Sequence, residues 1–427
     1  MDRARSDHSG VQAQLDRLAQ LSPGGDRLGL DRITRLLDRL GRPQDKLPPV
    51  LHVAGTNGKG STCAFLRAAL EAAGHRVHLF TSPHLVRFNE RFRLAGKLIE
   101  DDALTELLAE VLDASAGIEP SFFEVATAAA FLAFSRKPAD AALIEVGMGG
   151  RLDATNVIER PLVCGIAALG IDHSQWLGHT LAEIAGEKAG IAKPGISLVT
   201  QNYERAAAER VGQVATQRGA TWLPRGPGWD AIGEGDGIHY RDRQGELLLP
   251  RPRLLGPHQS MNAALAVAML RHQDQLAVPE RALVAAMRWA EWPARLQKLG
   301  PGPLIGTREV WLDGGHNADA AHALARAVRD KASLTLIAGS LRTKDPQGLL
   351  APFREIAEQV HTVPIPDHDS FTPEDLAAVA RTLGMNARPF ASIEQALAAA
   401  PPERPVLIAG SLYLAGEVLR LNGQAPD

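Results

Sequence analysis

The sequence predicts a two-domain α/β protein: an N-terminal domain with a mostly parallel sheet of the phosphate-loop NTPase type, and a smaller C-terminal Rossmann-like α/β domain. Apolar runs of strand length alternate along the chain with segments of helical periodicity, which is typical of a parallel sheet covered by helices on both faces. The alternation breaks at residues 292–303, which contain Trp-Pro and Gly-Pro-Gly-Pro, and then restarts. We therefore expect a domain boundary near residue 295, separating residues 1–295 from residues 296–427.

The N-terminal domain is expected to begin with two helices before its first strand. In chain order we predict helices at 11–21 and 33–40, a strand at 49–54, a helix at 61–73, a strand at 76–81, helices at 101–114 and 123–135, and strands at 140–146 and 162–168. Residues 89–91 are polar and aperiodic, which indicates a loop. Thr180 and Glu183 have the spacing of a capping box, so a helix should begin there.

The rest of the chain changes character twice. Residues 219–256 alternate between polar and apolar and contain glycine-rich turns, which predicts antiparallel hairpins, and helices should follow at 257–271 and 279–290. Beyond the boundary we predict strands at 310–313, 334–339, 360–364 and 406–409, and helices at 318–331, 347–359, 372–383, 392–400 and 412–421.

Composition limits the possible partners. The 427 residues carry a net charge of −3, so neither a nucleic acid nor an anionic membrane is an expected partner. The N-terminus does not lead into the apolar core of a secretory signal, and no apolar run reaches membrane-spanning length. Cys63 and Cys164 lack metal-ligand spacing and should be buried. We expect a soluble, cytoplasmic monomer.

The stretch HVAGTNGKGST at residues 52–62 carries the clearest chemical signal. It joins a buried strand to a helix through a glycine-rich turn, and unpaired N–H groups at a helix start can bind phosphate. Lys59 adds a positive charge, and Ser61 or Thr62 can offer a hydroxyl to Mg²⁺. The alternative is a tight turn with a solvated lysine.

This stretch departs from the general phosphate-loop pattern at two positions. The pattern requires a glycine where Val53 stands and a serine or threonine directly after the lysine, where Gly60 stands. The variant GTNGKGS therefore indicates a particular subset of phosphate-loop enzymes.

Four polar features fall at the carboxyl ends of predicted strands: residues 55–62, Ser82, Glu145 and His173. The carboxyl ends of parallel strands meet at one edge of a sheet, where ligands bind. The sequence therefore predicts that these features share one site.

The individual side chains at this edge leave alternatives open. Glu145 could supply a carboxylate to Mg²⁺, or it could form a strand-end ion pair. Ser82 precedes a proline, which is more typical of a turn residue than of a ligand. His173 is more typical of a hydrogen-bonding or core histidine, because Mg²⁺ prefers oxygen ligands.

Residues later in the chain add further candidates, before and after the expected boundary. Lys188 is interpreted as a solvated lysine near a helix end, and Arg295 would either reach a phosphate or cover the linker. Residues 313–317, Asp-Gly-Gly-His-Asn, follow a predicted strand, so they should lie at the binding edge of the second sheet, with Asn317 as a helix cap.

The Gly-Ser pairs at 339–340 and 410–411 could form ligand loops or tight turns. A phosphate loop that faces a gap between two α/β domains predicts ATP-driven chemistry in a cleft that closes. At this level a kinase, an ATP-dependent ligase and an ATPase switch all remain possible.

The motifs together resemble the bifunctional dihydrofolate synthase/folylpolyglutamate synthase family, relatives of the Mur ligases. The resemblance covers residues 28–419. Its markers are HVAGTNGKGST (52–62), TSPHLVRFNERFR (81–93), EVGMGGRLDATNV (145–157), GIDHSQWLG (170–178), GEKAGIAKPG (186–195), LDGGHN (312–317) and GSLYLAGEV (410–418).

The resemblance implies roles for matching residues. Nucleotide contacts would come from Thr56, Asn57, Gly58, Lys59, Gly60, Ser61, Thr62, Asn262, Arg295 and Asp313, and magnesium ligands from Ser82, Glu145 and His173. The pterin or folate would contact Arg27, Leu28, Gly29, Leu30, Phe122, Phe123, Glu124, Val125, Leu152, Asp153 and Ala154, and glutamate would contact His316 and Ser411. Lys59, Lys188 and His316 would be catalytic, with Lys188 carbamylated and able to help hold a second Mg²⁺.

Two departures from the family pattern occur near the expected cleft. Ala294-Arg295 replaces the Gly-Arg often found at the hinge, and Gly314-Gly315 replaces a bulkier pair before the histidine. Neither removes a functional side chain.

The implied activity is ATP-dependent ligation of L-glutamate to dihydropteroate and to folates through an acyl phosphate, with ATP and Mg²⁺ as cofactors. Such a protein would have both dihydrofolate synthase and folylpolyglutamate synthase activities. A monofunctional folylpolyglutamate synthase is the main alternative, and a phosphate-loop small-molecule kinase is a second. A Mur-type peptidoglycan ligase is disfavoured, because we expect no additional N-terminal domain for a UDP-sugar.

Overall fold

The structure, a computed structural model, describes residues 4–21, 28–235, 237–331 and 333–426. Its largest sheet has eight strands in the order β4-β3-β2-β5-β1-β6-β7-β8. The strands are β1 Val50–Ala54, β2 Val77–Phe80, β3 Phe92–Leu94, β4 Lys97–Leu98, β5 Ala141–Glu145, β6 Val163–Ile166, β7 Ser197–Thr200 and β8 Thr221–Pro224. β3 and β4 pair antiparallel at one edge, and the other six strands are parallel.

Two further sheets follow. An antiparallel sheet contains β9 Trp229–Glu234, β10 Gly237–Asp242 and β11 Gly245–Pro250. The third sheet has the order β12-β13-β17-β14-β15-β16, with strands β12 Gln297–Lys298, β13 Val310–Leu312, β14 Leu334–Ala338, β15 Ala357–Thr362, β16 Ala387–Pro389 and β17 Val406–Ala409. It is parallel except for β12.

Helices cover both large sheets. They are α1 Ser9–Gln20, α2 Asp31–Arg39, α3 Lys59–Ala72, α4 Asp101–Ala114, α5 Phe122–Arg136, α6 Ser174–Leu177, α7 Leu181–Ala189, α8 Arg205–Arg218, α9 Pro257–Arg271, α10 Glu280–Trp289, α11 Ala318–Ala327, α12 Pro346–Leu350, α13 Pro373–Thr382, α14 Ile393–Ala399 and α15 Leu412–Leu421. Short 3₁₀ helices occur at Pro43–Lys46, Phe88–Arg91, Ala154–Val157 and Ala351–Phe353. Among the described residues, no helix is both long enough and apolar enough to cross a membrane.

The core lies on the two faces of each large sheet. Strand β1 is fully buried, and its side chains alternate: Val53 packs with α3, α9 and α10, whereas Val50 packs with α1, α2, α4 and α5. In the third sheet, Leu336 and Ile337 likewise point into separate clusters on opposite faces. This alternation explains why continuous apolar runs form the central strands.

Most predicted elements are confirmed, but the helix predicted at 347–359 is wrong. Only α12 and a 3₁₀ turn form there, and β15 begins at Ala357 and pairs with β14. Pro352 has no N–H and cannot continue an α-helix, and pairing within the sheet determines the conformation of the residues that follow.

Other differences concern elements that were not predicted, which are the helix α8, the strand β7 and several short elements. The loop predicted at 89–91 is a 3₁₀ helix that leads into the hairpin β3–β4, and β12 and β16 were not predicted either. Strands of two or three residues are too short to show a period. The hairpins predicted at 219–256 are confirmed for β9–β11, but β8 joins the large parallel sheet, and α11 ends at Ala327, before residue 331.

Candidate active site at two adjoining cavities

Two cavities lie at the carboxyl ends of the strands. The smaller, about 260 Å³, is lined by residues 55–61 of the phosphate loop and also by residues 313–316 of the third sheet. The larger, about 690 Å³, is lined by residues 121–124, 152–154 and 410–413, among others. Both are lined by Ser82, Pro83, Gly147, Met148, His173, His316 and Leu412. The two cavities therefore meet along a shared wall.

The phosphate loop has the local structure that the sequence predicted. β1 ends at Ala54, and Gly58, with φ of +87°, is the residue before the first turn of α3. A Cβ at Gly58 would collide with the side chain of Asn262, so only glycine fits. Lys59 Nζ donates to the carbonyl oxygens of Gly55 (3.0 Å) and Thr56 (3.3 Å), which folds the lysine over its own loop.

The two departures from the general pattern have separate causes. Val53 is a fully buried strand residue in the core, so this loop begins its turn two residues later, at Gly55. A Cβ on Gly60 would lie 2.7 Å from three ring atoms of Trp292. Trp292 therefore excludes the hydroxyl residue that usually follows the lysine.

Ser61 and Thr62 behave differently, although both are buried. Ser61 lines the smaller cavity, and its Oγ has no hydrogen-bond partner within the described part of the chain. Thr62 is fully buried in α3 and does not line the cavity. Of the two hydroxyls that the sequence offered, Ser61 is thus the one at the cavity.

Glu145 is positioned by strand register. It lies opposite Val53 at the end of β5, and its Oε2 accepts a hydrogen bond from Ser82 N at 3.3 Å. Burial raises the pKa of the Glu145 carboxyl, and the positive charge of Lys59 opposes that shift. Ser82, Glu145 and His173 all line the smaller cavity, as a common site requires.

His173 adopts a left-handed conformation, with φ of +52°, just before α6, and the surrounding protein lowers its pKa although the side chain is 46% exposed. The imidazole is therefore neutral near pH 7, the form in which a histidine nitrogen can bind a metal. No cluster of three or more His, Cys, Asp or Glu side chains with metal-binding geometry occurs within the described ranges. A cation at this edge would need hydroxyl or water ligands in addition to Glu145.

The interpretation of Lys188 as a solvated lysine is wrong. It is 4% exposed, and its Nζ donates to Gly55 O at 3.0 Å. Burial, followed by the charge of Lys59, lowers the pKa of Lys188 to about 7. Residues 150–151 pack directly on the end of α7, and Lys188 lines the smaller cavity beside the phosphate loop.

On the opposite side of the smaller cavity, Asp313 organises its own loop. Its Oδ2 accepts from Leu296 N and its Oδ1 from Gly315 N, both at 2.7 Å. Arg295 lines the cavity and donates to Ala294 O at 2.9 Å. Asn262 also lines this cavity. The three nucleotide contacts that the resemblance assigned to the inter-domain region, Asn262, Arg295 and Asp313, therefore all line the smaller cavity.

Asn317 caps α11 as predicted, since its Oδ1 accepts from Ala320 N at 2.9 Å. It also exchanges two amide hydrogen bonds with Asn57 of the phosphate loop, at 3.0 and 3.2 Å. Ser411 lines the larger cavity and caps α15 through Tyr413 N. The third sheet thus contacts the phosphate loop directly.

Most of the predicted pterin residues line the larger cavity: Leu28, Gly29, Phe122, Phe123, Glu124, Leu152, Asp153 and Ala154. Two do not. Val125 is fully buried in the core, and Leu30 packs at the start of α2. Arg27 lies outside the described residues.

The two carboxylates in this set already have partners. Glu124 Oε2 accepts from Ser121 N at 2.6 Å and pairs with Arg32 Nε at 3.0 Å. Asp153 accepts from Met148 N at 2.8 Å and Thr155 N at 3.0 Å, and burial raises its pKa. Both carboxylates therefore line the larger cavity and also hold its neighbouring backbone in place.

Three residues that shape this site were not predicted from the sequence: Asp172, Lys344 and Trp292. Asp172 Oδ1 accepts from Lys344 Nζ at 2.5 Å, and its Oδ2 lies 3.3 Å from His316 Nε2. Burial alone would raise the pKa of Asp172, but His316, His173 and Lys344 hold it well below its usual range. Asp172 could have been found beside His173 in GIDHSQWLG, whereas no sequence signal joined Lys344 to it.

Comparisons with known proteins give the same family throughout. Residues 306–421 match the family described as dihydrofolate synthetase, C-terminal domain. The dihydrofolate synthase/folylpolyglutamate synthase of Escherichia coli is 34% identical over 402 residues, 92% of this chain and 91% of the relative.

Solved structures agree. Escherichia coli FolC in complex with DHPP and ADP has a TM-score of 0.88 at 32% identity, covering 98% of this chain and 99% of that one. A bifunctional folylpolyglutamate synthase/dihydrofolate synthase with Mn, AMPPNP and L-glutamate bound has a TM-score of 0.85 at 30% identity, covering 98% and 99%. These likenesses confirm the predicted fold class and the resemblance. The chain therefore belongs to the dihydrofolate synthase/folylpolyglutamate synthase family of ATP-dependent ligases.

Proposed function

We propose that the protein ligates L-glutamate to dihydropteroate, forming dihydrofolate, and to folates, forming folylpoly-γ-glutamates, with ATP as the energy source. The observation that carries this proposal is the shared wall of the two cavities. One cavity surrounds a phosphate loop, and the other is lined by the aromatic rings of Phe122 and Phe123. A terminal phosphate and the carboxylate of an aromatic acceptor would meet at Ser82 and His316.

In this proposal residues 1–295 bind ATP and the pterin, and residues 296–427 supply the glutamate side. The sheet membership of the strands supports this division, because every strand up to Pro250 belongs to the first two sheets and every strand from Gln297 belongs to the third. His316 and Ser411, the candidate glutamate contacts, both follow strands of the third sheet. Domain closure would bring the amine to the activated carboxylate and exclude water.

The residues present fit a Mg²⁺ ion. The buried, unpartnered Ser61 Oγ is a hard oxygen donor, and Glu145 offers a carboxylate at the same cavity. Ser82 and His173 would complete the set that holds it. When bound, the ion would neutralise negative charge on the transferring phosphoryl group.

We also propose that Lys188 is carbamylated and contributes to a second cation site. Its amine is buried, with a pKa of about 7, so a large fraction is neutral at physiological pH. Only the neutral amine can add carbon dioxide, and the product is an anion in place of a cation.

The remaining chemistry requires positioning and charge from this chain. The acceptor carboxylate would attack the terminal phosphorus of ATP and release ADP, and the glutamate amine would then attack the acyl carbon, lose its proton and displace phosphate. Lys59 and Arg295 line the cavity from opposite sides and would neutralise the developing charge. His316 lies at the shared wall, where the amine would approach.

We further propose that the protein works as a cytoplasmic monomer. Cys63 and Cys164 are free and buried, as is typical of a reducing compartment. Size-exclusion chromatography coupled to light scattering would test the monomer.

Phosphate release from ATP tests the function. We expect release that requires both dihydropteroate and L-glutamate, and also release with reduced folates and L-glutamate. Phosphate release with reduced folates and L-glutamate, but not with dihydropteroate and L-glutamate, would establish a monofunctional folylpolyglutamate synthase. ADP formation without glutamate, on an acceptor that has no carboxylate, would instead establish a kinase.

A further inference from the structure

We propose that Asp172 is a positioning residue that holds the glutamate side of the site against the nucleotide side, with Lys344 as its counter-ion. This inference rests on the proposed function, since it concerns the amine that attacks the acyl phosphate. We call the pair Asp172–Lys344 the clasp. The clasp joins residues from two different sheets and was not among the residues that the sequence singled out.

The contacts of Asp172 all come from the opposite side of the cleft, apart from its neighbour His173. Asp172 lies in the loop between β6 and α6 of the large sheet. Lys344 Nζ lies 2.5 Å from its Oδ1, and Lys344 belongs to the loop that follows β14. His316 Nε2 and Asn317 Nδ2 lie 3.3 and 3.5 Å from its Oδ2, and both precede α11.

One carboxylate therefore fixes two separate loops of the third sheet. Oδ1 contacts Lys344 in one loop, and Oδ2 contacts His316 in the other. The carboxylate therefore sets the orientation of His316 as well as its distance from Asp172. His316 Nδ1 lies 3.1 Å from Gly314 O, so both ring nitrogens of this histidine are directed. Both neighbours are acceptors, so the imidazolium form of the ring can donate to both and then keeps one orientation.

The clasp is shielded from water, so removing one of its partners costs more than removing one partner of a surface ion pair. The side chains of Asp172 and Lys344 are 11% and 12% exposed. Removing one partner of such a pair leaves the other charge buried and unpaired, so the loops should separate to let water reach it. A surface pair such as Glu110–Arg136, with side chains 45% and 55% exposed, has no such consequence.

The position of the clasp links it to the amine-transfer step. His173 and His316, which flank Asp172, line both cavities, and Lys344 lines the larger one. A shift of about 1 Å in reacting groups can lower a rate about 100-fold. Loosening these loops should therefore affect glutamate use more than ATP binding, because the phosphate loop would lose at most its Asn57–Asn317 hydrogen bonds and would keep those to Ala168 and Gly170.

The kinetic test uses Asp172→Asn, Lys344→Met and the double variant. We expect each single variant to lower kcat about 100-fold and to raise the KM for glutamate about tenfold, with the KM for ATP within about threefold of the parent. Because the residues act through each other, the double variant should lie within about twofold of the worse single variant. The proposal would be overturned if the fold-changes of the two single variants multiplied in the double variant, or if the KM for glutamate stayed unchanged.

A second measurement does not depend on activity. In the unliganded protein, Asp172→Asn should speed amide hydrogen exchange in residues 313–317 and 339–345 by about tenfold, whereas Glu110→Gln should leave those peptides unchanged. Unchanged exchange in Asp172→Asn would overturn the inference even in an active enzyme. If the parent protein released no phosphate with glutamate, the proposed function would fail, and the exchange result would still decide the clasp.

Discussion

Replacing Gly60 by alanine is the sharpest test of why the phosphate loop departs from the general pattern. The added Cβ would lie 2.7 Å from Cε2, Cζ2 and Nε1 of the Trp292 ring. Real Cβ atoms almost never make contacts below 3.0 Å, so either the indole or the first turn of α3 must move.

Two effects of opposite sign contribute to the expected change. Overpacking a rigid neighbour costs about 1–3 kcal/mol, whereas replacing glycine by alanine in a helix gains up to about 1 kcal/mol. Gly60 is the second residue of α3, where the gain from helix propensity is reduced. We therefore expect Gly60→Ala to lower the free energy of unfolding by about 1–2 kcal/mol.

The assay is urea unfolding, monitored by circular dichroism. Gly60→Ala is measured in the parent protein and in a Trp292→Leu background. Without the ring, Gly60→Ala should be neutral or stabilising by up to about 1 kcal/mol, so its sign should reverse. Gly186→Ala is the matched control, because its Cβ would meet the flexible side chain of Arg210. An equal loss of stability in both backgrounds would show that Trp292 is not the obstacle and would refute the reasoning.

Two further predictions concern the charged groups of the smaller cavity. Lys59→Met and Glu145→Gln should each lower kcat about 100- to 1000-fold with unchanged circular dichroism, and near-normal turnover in either variant would contradict the site assignment. Lys188 has a folded-state pKa of about 7 against an ordinary 10.5, so its burial cost is fully present below pH 7 and disappears as the pH rises to 10.5. In carbon dioxide-free buffer, Lys188→Met should therefore stabilise the protein most at pH 7 and below, and a difference that stays constant up to pH 10 would count against the lowered pKa.

Local patterns predicted a large part of the structure. Residues 50–54 are apolar apart from His52, as is typical of a strand buried on both faces, and they form the central strand β1. The capping residues Thr180 and Asn317 begin their helices as expected. These features depend on neighbours within a few positions in the chain, and the sequence states those neighbours directly.

The helix predicted at 347–359 failed for a non-local reason. Residues 357–362 pair with β14, and that pairing outweighs their helical periodicity. The interpretation of Lys188 failed similarly: its sequence neighbours are typical of a helix end, but tertiary packing buries its side chain beside the phosphate loop, where Nζ donates to Gly55 O.

The sequence by itself determined the fold class, the phosphate loop and the family, because these follow from periodicity and from contiguous motifs. Only the tertiary structure decided that Trp292 excludes a side chain at residue 60, that Lys188 is buried, and that Asp172 holds Lys344 and His316 across the cleft. Asp172 and Lys344 are 172 residues apart in the chain. Contacts over such separations arise from the packing of one sheet edge against another, and a single sequence carries no local signal for them.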